Sequence, residues 1–384
     1  MPKVIVGMSG GVDSSVTAYL LKEQGYEVEG LSFILWEARS RTDITTCCSH
    51  HVMEEISKNA HHIGIPHSII DLRNDFINKV IEPFVNAYIS GSTPNPCVLC
   101  NRFIKFPFLL KEAEKRGAEY ISTGHYARVI NTITGHRETE IRGCRNIGIQ
   151  PFPDSAIPRF SHSYLKKGLD LKKDQSYILY VLTQNEIKRL ILPLGNYRKD
   201  EVREIAQELN LPATKMAESQ EICFIESGNY FKFIEGLSSV TWKPGSIVDM
   251  TGKVIGTHKG IHGYTIGQRK GLGISSPEPL YVVKIDAMRN TVYVGPQEAA
   301  QRKEFFVKDL NWILPIWEEG ETMPCPCRAF VKVRSMMKDE PATIFQVSDK
   351  TVQVVFDKSQ WAPAPGQSAV FYNDDKLIGG GVII

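Results

Sequence analysis

No apolar run reaches the roughly 18 residues that a membrane-spanning helix needs, so no membrane span is expected. Neither sign of charge dominates. Lys and Arg number 45 against 43 Asp and Glu, a net charge of +2. A nucleic-acid partner would therefore be held by local basic patches, and global charge neither supports nor excludes one. Eight cysteines in 384 residues are too few for a disulfide scaffold. In a reducing compartment some of them read as reactive or metal-binding. There is no internal repeat and no low-complexity tract. The first strand begins almost at Met1 and leaves no room for a signal or transit peptide, so a cytoplasmic location is expected.

What is present is organised around residues 4–15, Val-Ile-Val-Gly-Met-Ser-Gly-Gly-Val-Asp-Ser-Ser. Val4 to Val6 is a β-branched apolar run and reads as a buried strand. Ser9-Gly10-Gly11 is a turn signal. Val16, Leu20 and Leu21 then fall at helical spacing, with Gly25 as the stop. A strand thus runs through a glycine turn into a helix, whose unpaired N–H groups and dipole make an anion site. No Gly-Lys-Ser/Thr follows, so this is not a Walker loop. A Gly-rich turn without ligand would account for the glycines but not for Asp13. A carboxylate beside a phosphate cradle repels the phosphate unless Mg²⁺ sits between them. The string resembles the pyrophosphate loop of N-type ATP pyrophosphatases, which adenylate a substrate and release pyrophosphate.

Residues 1–125 alternate short strands with helical patterns: Glu27 to Leu35 as strand, a helix from about Val52, His67 to Leu72 as strand, helices over Phe76–Ile89 and Phe106–Arg116, then a strand at Tyr120-Ile121-Ser122. This alternation predicts an α/β fold with a doubly wound parallel sheet. Ligands then sit at the carboxyl ends of strands, where residues 9–14 and Gly124-His125 lie. Residues 129–170 lose periodicity and read as a surface excursion. Helical pattern returns over Gln175–Leu190 and Lys199–Leu209, closed by Pro212. Beyond about residue 213, short alternating segments with Gly and Pro turns predict β structure, plausibly a small barrel. The expected division is a first, nucleotide-binding domain over 1–212, a small central domain over 213–278 and a C-terminal β-barrel over 279–384.

Cys97 and Cys100 form a CxxC after Pro94-Asn95-Pro96, which favours an extended, exposed loop, with helical pattern resuming near Phe106. Alone, the motif is half a zinc site, a redox pair or chance. Zinc needs a second pair, and neither Cys325/Cys327 nor Cys47/Cys48 has finger spacing, so no metal-ligand set is assigned. An exposed cysteine near a helix start is expected to have its pKa lowered from about 8.5 toward about 7. Cys223 reads either as a core cysteine or, after the polar run 218–221, as one at a loop edge.

Seven segments in order resemble the tRNA-specific 2-thiouridylases of the bacterial and mitochondrial type. They are 9–15; 93–96 with Cys100-Asn101 and Ile104-Lys105-Phe106; 123–128; 173–177; 221–225; 264–273; and 365–367. The resemblance covers most of the chain. It implies an adenine nucleotide α-hydrolase-like first domain. ATP is held at Gly7, Met8, Ser9, Gly10, Gly11, Val12, Asp13 and Ser14, with Phe33 and Gly124 near the adenosine and Mg²⁺ on Asp13. It implies adenylation of O2 of the wobble uridine, U34, in the tRNAs for Lys, Glu and Gln. A persulfide on Cys223 then delivers sulfur, and Cys100 assists through attack on the persulfide or a transient Cys100–Cys223 disulfide. Asn95, Pro96 and Cys97 are implied to face the target base. His125, Lys173, Asp174, Gln175, Arg334, Ser335 and Gln367 are implied to touch the anticodon arm. Arg269 and Lys270, between glycines, form an exposed basic loop suited to phosphates. A sulfur-carrier protein or a cysteine desulfurase is the expected persulfide donor.

Plainer readings stay open for several of these residues. His125 suits a satisfied turn histidine, and 264–273 an ordinary Gly-rich turn. Asp174 suits a helix cap, Arg334 a solvated strand charge and Gln367 a plain turn. The chain departs from the family twice. Cys97 stands where the family usually has Asp, and 128–173 is longer, by about twenty residues, and carries Cys144. Cys97 admits a second chemistry, an iron–sulfur cluster on Cys97, Cys100 and Cys223 with one open iron. Rival functions are another pyrophosphatase-loop enzyme, such as one making lysidine or 2-thiocytidine, and a non-catalytic tRNA-binding or iron–sulfur module. The paired cysteines count against the amination reading, and Asp13, Cys100 and Cys223 together count against the non-catalytic one.

Overall fold

The structure is a computed structural model and describes residues 1–36, 50–133, 137–140, 162–215, 222–225, 230–237, 242–314 and 326–384. The chain forms two compact units. The first comprises Met1–Val80, Cys97–Glu226 and Asp374–Ile378, and the second Ile81–Pro96, Ser227–Asn373 and Gly379–Ile384. Among the described residues no helix is long and apolar enough to cross a membrane.

The strands of the first unit are β1 (Lys3–Gly7), β2 (Glu27–Ile34), β3 (His67–Asp71), β4 (Tyr120–Thr123), β5 (Ala127–Ile133), β6 (Arg137–Glu140), β7 (His162–Lys167) and β8 (Leu190–Ile191). Five make a parallel sheet in the order β3-β2-β1-β4-β8. This is the doubly wound sheet that the βα alternation predicts. Val4, Ile5 and Val6 are fully buried, as a central parallel strand covered on both faces requires. Strand order reverses between β1 and β4, so the loops after these two strands sit side by side at the carboxyl edge. The helix Val12–Glu23 packs Val16, Ala18, Leu20 and Leu21 into the same core as Val202, Ile205 and Ala206 of the helix Lys199–Glu208. Gly25, at φ +82°, ends the first of these helices as expected.

Three expectations change. The excursion read over 129–170 begins and ends in strands. β5 pairs with β6 and β7 antiparallel, residues 376–377 extend the sheet, and Val129, Ile130, Tyr164 and Leu165 are buried. β5 and β7 contribute only a pair or so of buried apolar side chains each and pair with one another far along the chain, so no periodicity is visible. Residues 134–136 and 141–161, with Cys144, lie outside the described residues. The helical pattern over Gln175–Leu190 is broken into a 3₁₀ turn, Ser176–Leu179, and a short helix, Gln184–Lys188. Thr183 starts the second piece through a capping box, its N–H donating to Glu186 at 2.8 Å. Just past residue 212 the chain still packs in this unit. Ala213 is buried and its N–H donates to Asn59 Oδ1 at 2.9 Å.

The second unit holds β9 (Gly245–Val248), β10 (Val254–His258), β11 (Tyr281–Asp286) and β12 (Thr291–Gly295), ordered β10-β9-β12-β11 over a core of Ile247, Ile261, Leu272, Val282, Val292 and Val294. Then β13 (Gln301–Trp312), β14 (Cys327–Lys332), β15 (Glu340–Ser348), β16 (Thr351–Trp361), β17 (Ser368–Asn373) and β18 (Lys376–Ile383) close a six-stranded barrel, sealed by Val307 opposite Ile383. Four of these ten strands, β10, β13, β15 and β18, gave no clear signal. β13 opens with four exposed polar residues, Gln301 to Glu304. β18 contains Gly379, Gly380 and Gly381. A Cβ at 379 or 381 would lie 2.5 Å from a β13 carbonyl oxygen, so glycine there reflects close strand approach rather than a turn.

Candidate active site

β1 delivers the loop 7–14 to the carboxyl edge of the parallel sheet. Met8 N–H donates to Leu31 O and Ser32 Oγ donates to Met8 O, both at 2.8 Å, which ties the loop to β2. Gly10 adopts φ +86°, where a side chain would be strained. Ser14 Oγ donates to Gly11 O at 3.1 Å and accepts from Ser9 N–H at 3.2 Å. Among the described residues no side chain caps the helix start at Val12, so its first-turn N–H groups are left for an anion. Phe33 is half-buried two residues beyond Leu31, which pairs with Gly7, and so lies at the same edge.

Gly124 abuts this loop. A Cβ there would stand 2.9 Å from both Asp13 C and Ser14 N. Backbone on both sides cannot yield as a flexible side chain would. Gly124→Ala is expected to displace the loop and raise the KM for ATP at least about tenfold, an order typical of small misplacements in a site. Titration of ATP into the folded variant checks this, and wild-type affinity would mean that the loop tolerates the shift.

Asp13 does not stand alone. Its Oδ1 and Oδ2 lie 2.7 and 2.8 Å from Lys199 Nζ, and Tyr126 donates its hydroxyl to Oδ1 at 2.7 Å. Lys199 Nζ also lies 5.7 Å from the Tyr126 ring centre. The Lys199 side chain is only 8% exposed, so its charge requires this partner. Lys199 is absent from the sequence-based candidates. Its signal is local: it opens the helix Lys199–Glu208, where the dipole disfavours a cation. A hard cation such as Mg²⁺ prefers oxygen donors and needs one or two carboxylates when it arrives on phosphates. Among the described residues no group of three His, Cys, Asp or Glu could hold a metal by itself. Asp13 is the carboxylate beside the loop that Mg²⁺ arriving on phosphates would meet, and both its oxygens face Lys199.

Gln175 and Asp174 serve this neighbourhood. Gln175 clamps Tyr126, its Oε1 accepting Tyr126 N–H at 3.0 Å and its N–H donating to Tyr126 O at 2.9 Å. Asp174 accepts from Gly168 N–H at 3.0 Å, and from Ser176 N–H at 3.1 Å and Ser176 Oγ at 2.9 Å. Both side chains are engaged inside the fold, and Lys173 is the exposed member of the three. His125 is buried. Its Nδ1 lies 2.7 Å from Thr123 Oγ1 and its ring stacks on Phe106 at 5.8 Å. Burial, with a smaller contribution from Lys105, holds its pKa well below the ordinary value, so the ring is neutral at physiological pH.

The CxxC lies on a helix rather than in an extended loop. Pro96–Cys100 is helical and runs through a π turn, Asn101–Lys105, into the helix Phe106–Lys115. Pro96 occupies the first position, where its missing N–H costs nothing. Cys97 is exposed and Cys100 is buried. Cys223 is exposed, while its neighbour Phe224 is buried edge-on against Phe76 at 5.6 Å. The three thiols lie near enough for their charges to interact. The lowered thiol pKa expected from sequence is overturned. Burial pushes Cys100 up to about 12, only partly offset by Lys105. Cys97, exposed as a residue, is still partly desolvated by the protein around it, which together with Cys223 pushes its thiol up against Lys105. Desolvation of the thiolate outweighs the helix start. Cys47, Cys48, Cys144, Cys325 and residues 218–221 lie outside the described residues.

In the second unit, Arg269 and Lys270 are exposed between Gly267 and Gly271, both at positive φ. Gln268 stiffens this loop by bonding to Thr265 N–H and Lys270 O, each at 3.0 Å. Arg334 is half-buried and donates Nη2 to Ile266 O and Ala362 O at 2.8 and 2.7 Å, so it is a strut of its own unit as well as a charge. Ser335 is exposed, Asn95 half-buried and Pro96 buried. Gln367 Oε1 is buried with no hydrogen-bond partner among the described residues.

Three known families match the chain in order. They are described as a tRNA methyl transferase HUP domain over residues 2–227, a tRNA methyl transferase PRC-barrel domain over 232–296 and an aminomethyltransferase β-barrel domain over 302–383. Among curated relatives, tRNA-specific 2-thiouridylase MnmA 1 of Caldanaerobacter subterraneus subsp. tengcongensis is 45% identical, covering 99% of this chain and 97% of its own. Those of Halothermothrix orenii and Clostridioides difficile are 42% and 41% identical, covering 100% and 99% of this chain and 99% and 98% of their own. A crystal structure of a 4-thiouridine synthetase–RNA complex with bound ATP aligns at 17% identity with a TM-score of 0.32, over 56% of this chain and 42% of that one, too weak a likeness to carry an argument.

Proposed function

The chain belongs to the tRNA-specific 2-thiouridylase family, and from that premise we propose that it replaces O2 of the wobble uridine U34 in the tRNAs for Lys, Glu and Gln with sulfur, using ATP. One observation carries the reading. The uncapped helix start with its Asp13–Lys199 pair and the Cys97, Cys100 and Cys223 thiols all belong to one compact unit.

The loop 7–14 binds the ATP phosphates through backbone N–H groups, and Gly124 leaves the room this needs. Mg²⁺, when bound with the nucleotide, neutralises phosphate charge beside Asp13. Lys199 is the cation that accompanies Asp13, and it is placed to offset the charge of departing pyrophosphate. Uridine O2 attacks the α-phosphorus, pyrophosphate leaves, and C2 now bears AMP as its leaving group. Cys223, exposed, accepts a persulfide from a donor protein. Its terminal sulfur adds to C2 and AMP departs. The Cys100 thiolate then attacks the Cys223 sulfur, which frees 2-thiouridine and leaves a Cys100–Cys223 disulfide. The test supplies ATP, tRNA and a persulfide donor, and measures AMP and 2-thiouridine by mass spectrometry of digested tRNA. Equal amounts of the two are expected, and AMP without thiouridine would assign the chain another acceptor chemistry.

Arg269 and Lys270 are the exposed cations of the second unit assigned to tRNA phosphates. Replacing both with Gln is expected to flatten the slope of log K against log salt by about two units, one per lost contact. Arg334 is left out of this variant because its guanidinium also holds two backbone carbonyls. An unchanged slope would move the phosphate contacts elsewhere.

A further inference from the structure

Cys97 stands outside the cysteine pair on which this sulfur transfer rests. It lies three residues before Cys100 on the first turn of the same helix, and the two thiols differ in access, Cys97 exposed and Cys100 buried. Cys97 and Cys100 thus share one turn, and Cys223 belongs to the same compact unit. Side chains three apart on a helix have Cβ atoms about 5–6 Å apart, and a disulfide needs about 3.5–4.5 Å. Closing Cys97 onto Cys100 thus asks the first turn to tighten by about 1–2 Å. The first turn has the fewest backbone hydrogen bonds to hold it.

We propose that Cys97 is the resetting thiol of the reaction: its thiolate attacks the Cys100 sulfur of the Cys100–Cys223 disulfide, closes a Cys97–Cys100 disulfide and expels Cys223 as a thiolate ready for the next persulfide. The exchange is isoelectronic. One S–S bond forms as one breaks, and the proton lost by Cys97 is balanced by the one Cys223 can take up. Reduction then falls on the Cys97–Cys100 disulfide. An external dithiol reductant attacks the exposed Cys97 sulfur, releases Cys100, and closes its own disulfide, so two electrons enter per turnover. An intramolecular thiol outruns a dilute reductant because its effective concentration is far higher. Sulfur loading at Cys223 is thereby separated from reduction at Cys97. The proposal rests on the persulfide reading above.

The test is a single turnover without reductant, quenched by alkylation and mapped by mass spectrometry. Cys97 and Cys100 share the tryptic peptide 80–102, and Cys223 lies on 216–232. After 2-thiouridine has formed, the expected product is peptide 80–102 lighter by two hydrogens, with Cys223 alkylated. In Cys97→Ser the cross-linked pair of peptides should accumulate instead. A wild-type product in which 80–102 stays bridged to 216–232 with Cys97 alkylated would overturn the resetting role while leaving persulfide transfer intact. Absence of both thiouridine and any disulfide would overturn the persulfide reading and the relay with it. A second arm equilibrates the reduced protein with a glutathione redox buffer and no substrate. Cys97–Cys100 is expected to form first, and a dominant Cys100–Cys223 bridge would count against the relay independently of catalysis.

Discussion

Lys199→Met is expected to lower tRNA-dependent AMP formation by about a hundredfold to a thousandfold, the usual loss when one charge-stabilising donor is removed. The ammonium lies 2.7–2.8 Å from both Asp13 oxygens at the edge of the pyrophosphate loop. Methionine keeps the length and packing of the side chain and removes only the charge. Asp13 would retain the Tyr126 hydroxyl and is about one-third exposed, so the fold is expected to survive. Asp13→Ala should remove AMP formation to a similar degree by another route, since in the proposed reaction Asp13 supplies an oxygen donor for Mg²⁺. The double variant should be no worse than the poorer single one, because the two side chains act as a unit. Circular dichroism and radiolabelled AMP release would check both, and wild-type AMP formation in folded Lys199→Met would remove Lys199 from the mechanism.

Cys223→Ser is expected to separate the two halves of the reaction. The nucleotide loop and its Asp13–Lys199 pair are left intact, so tRNA-dependent AMP release should persist, whereas 2-thiouridine should fall below detection. A hydroxyl cannot carry a persulfide. Cys100→Ser should also lose free product, but with the thiolated uridine held on Cys223 through a disulfide. The pH dependence follows from burial of Cys100, which holds its thiol up to about 12. Only the thiolate attacks, and below the pKa its fraction rises about tenfold per pH unit. The sulfur-release step should therefore climb across pH 7 to about 10 without levelling, while adenylation does not share that slope. A plateau at the ordinary cysteine value of about 8.5 would mean that Cys100 becomes solvated when tRNA binds. Thiouridine formation at the wild-type rate in Cys223→Ser would end the persulfide reading.

The nucleotide loop was legible in the amino-acid sequence because everything that builds it is local. A β-branched run forms β1, Gly10 takes the positive φ, and Val16, Leu20 and Leu21 set the face of the next helix. The parallel sheet was legible for the same reason, since each βα repeat carries its own period. The seven ordered segments point to the family by themselves. Three things were decided only by tertiary structure. Lys199 meets Asp13 across a separation of 186 residues, and no window of sequence contains both. The thiol environment reversed expectation, because a CxxC at a helix start favours the thiolate only if water reaches it, and Cys100 is buried. Asp174, Gln175 and Arg334, read as tRNA contacts, also have internal partners, which a string of polar residues does not reveal. Motifs persist in sequence because backbone geometry is set by near neighbours. Charge partners and desolvation come from residues that only the folded chain brings together, so the chemistry of Asp13 and Cys100 belongs to the tertiary structure.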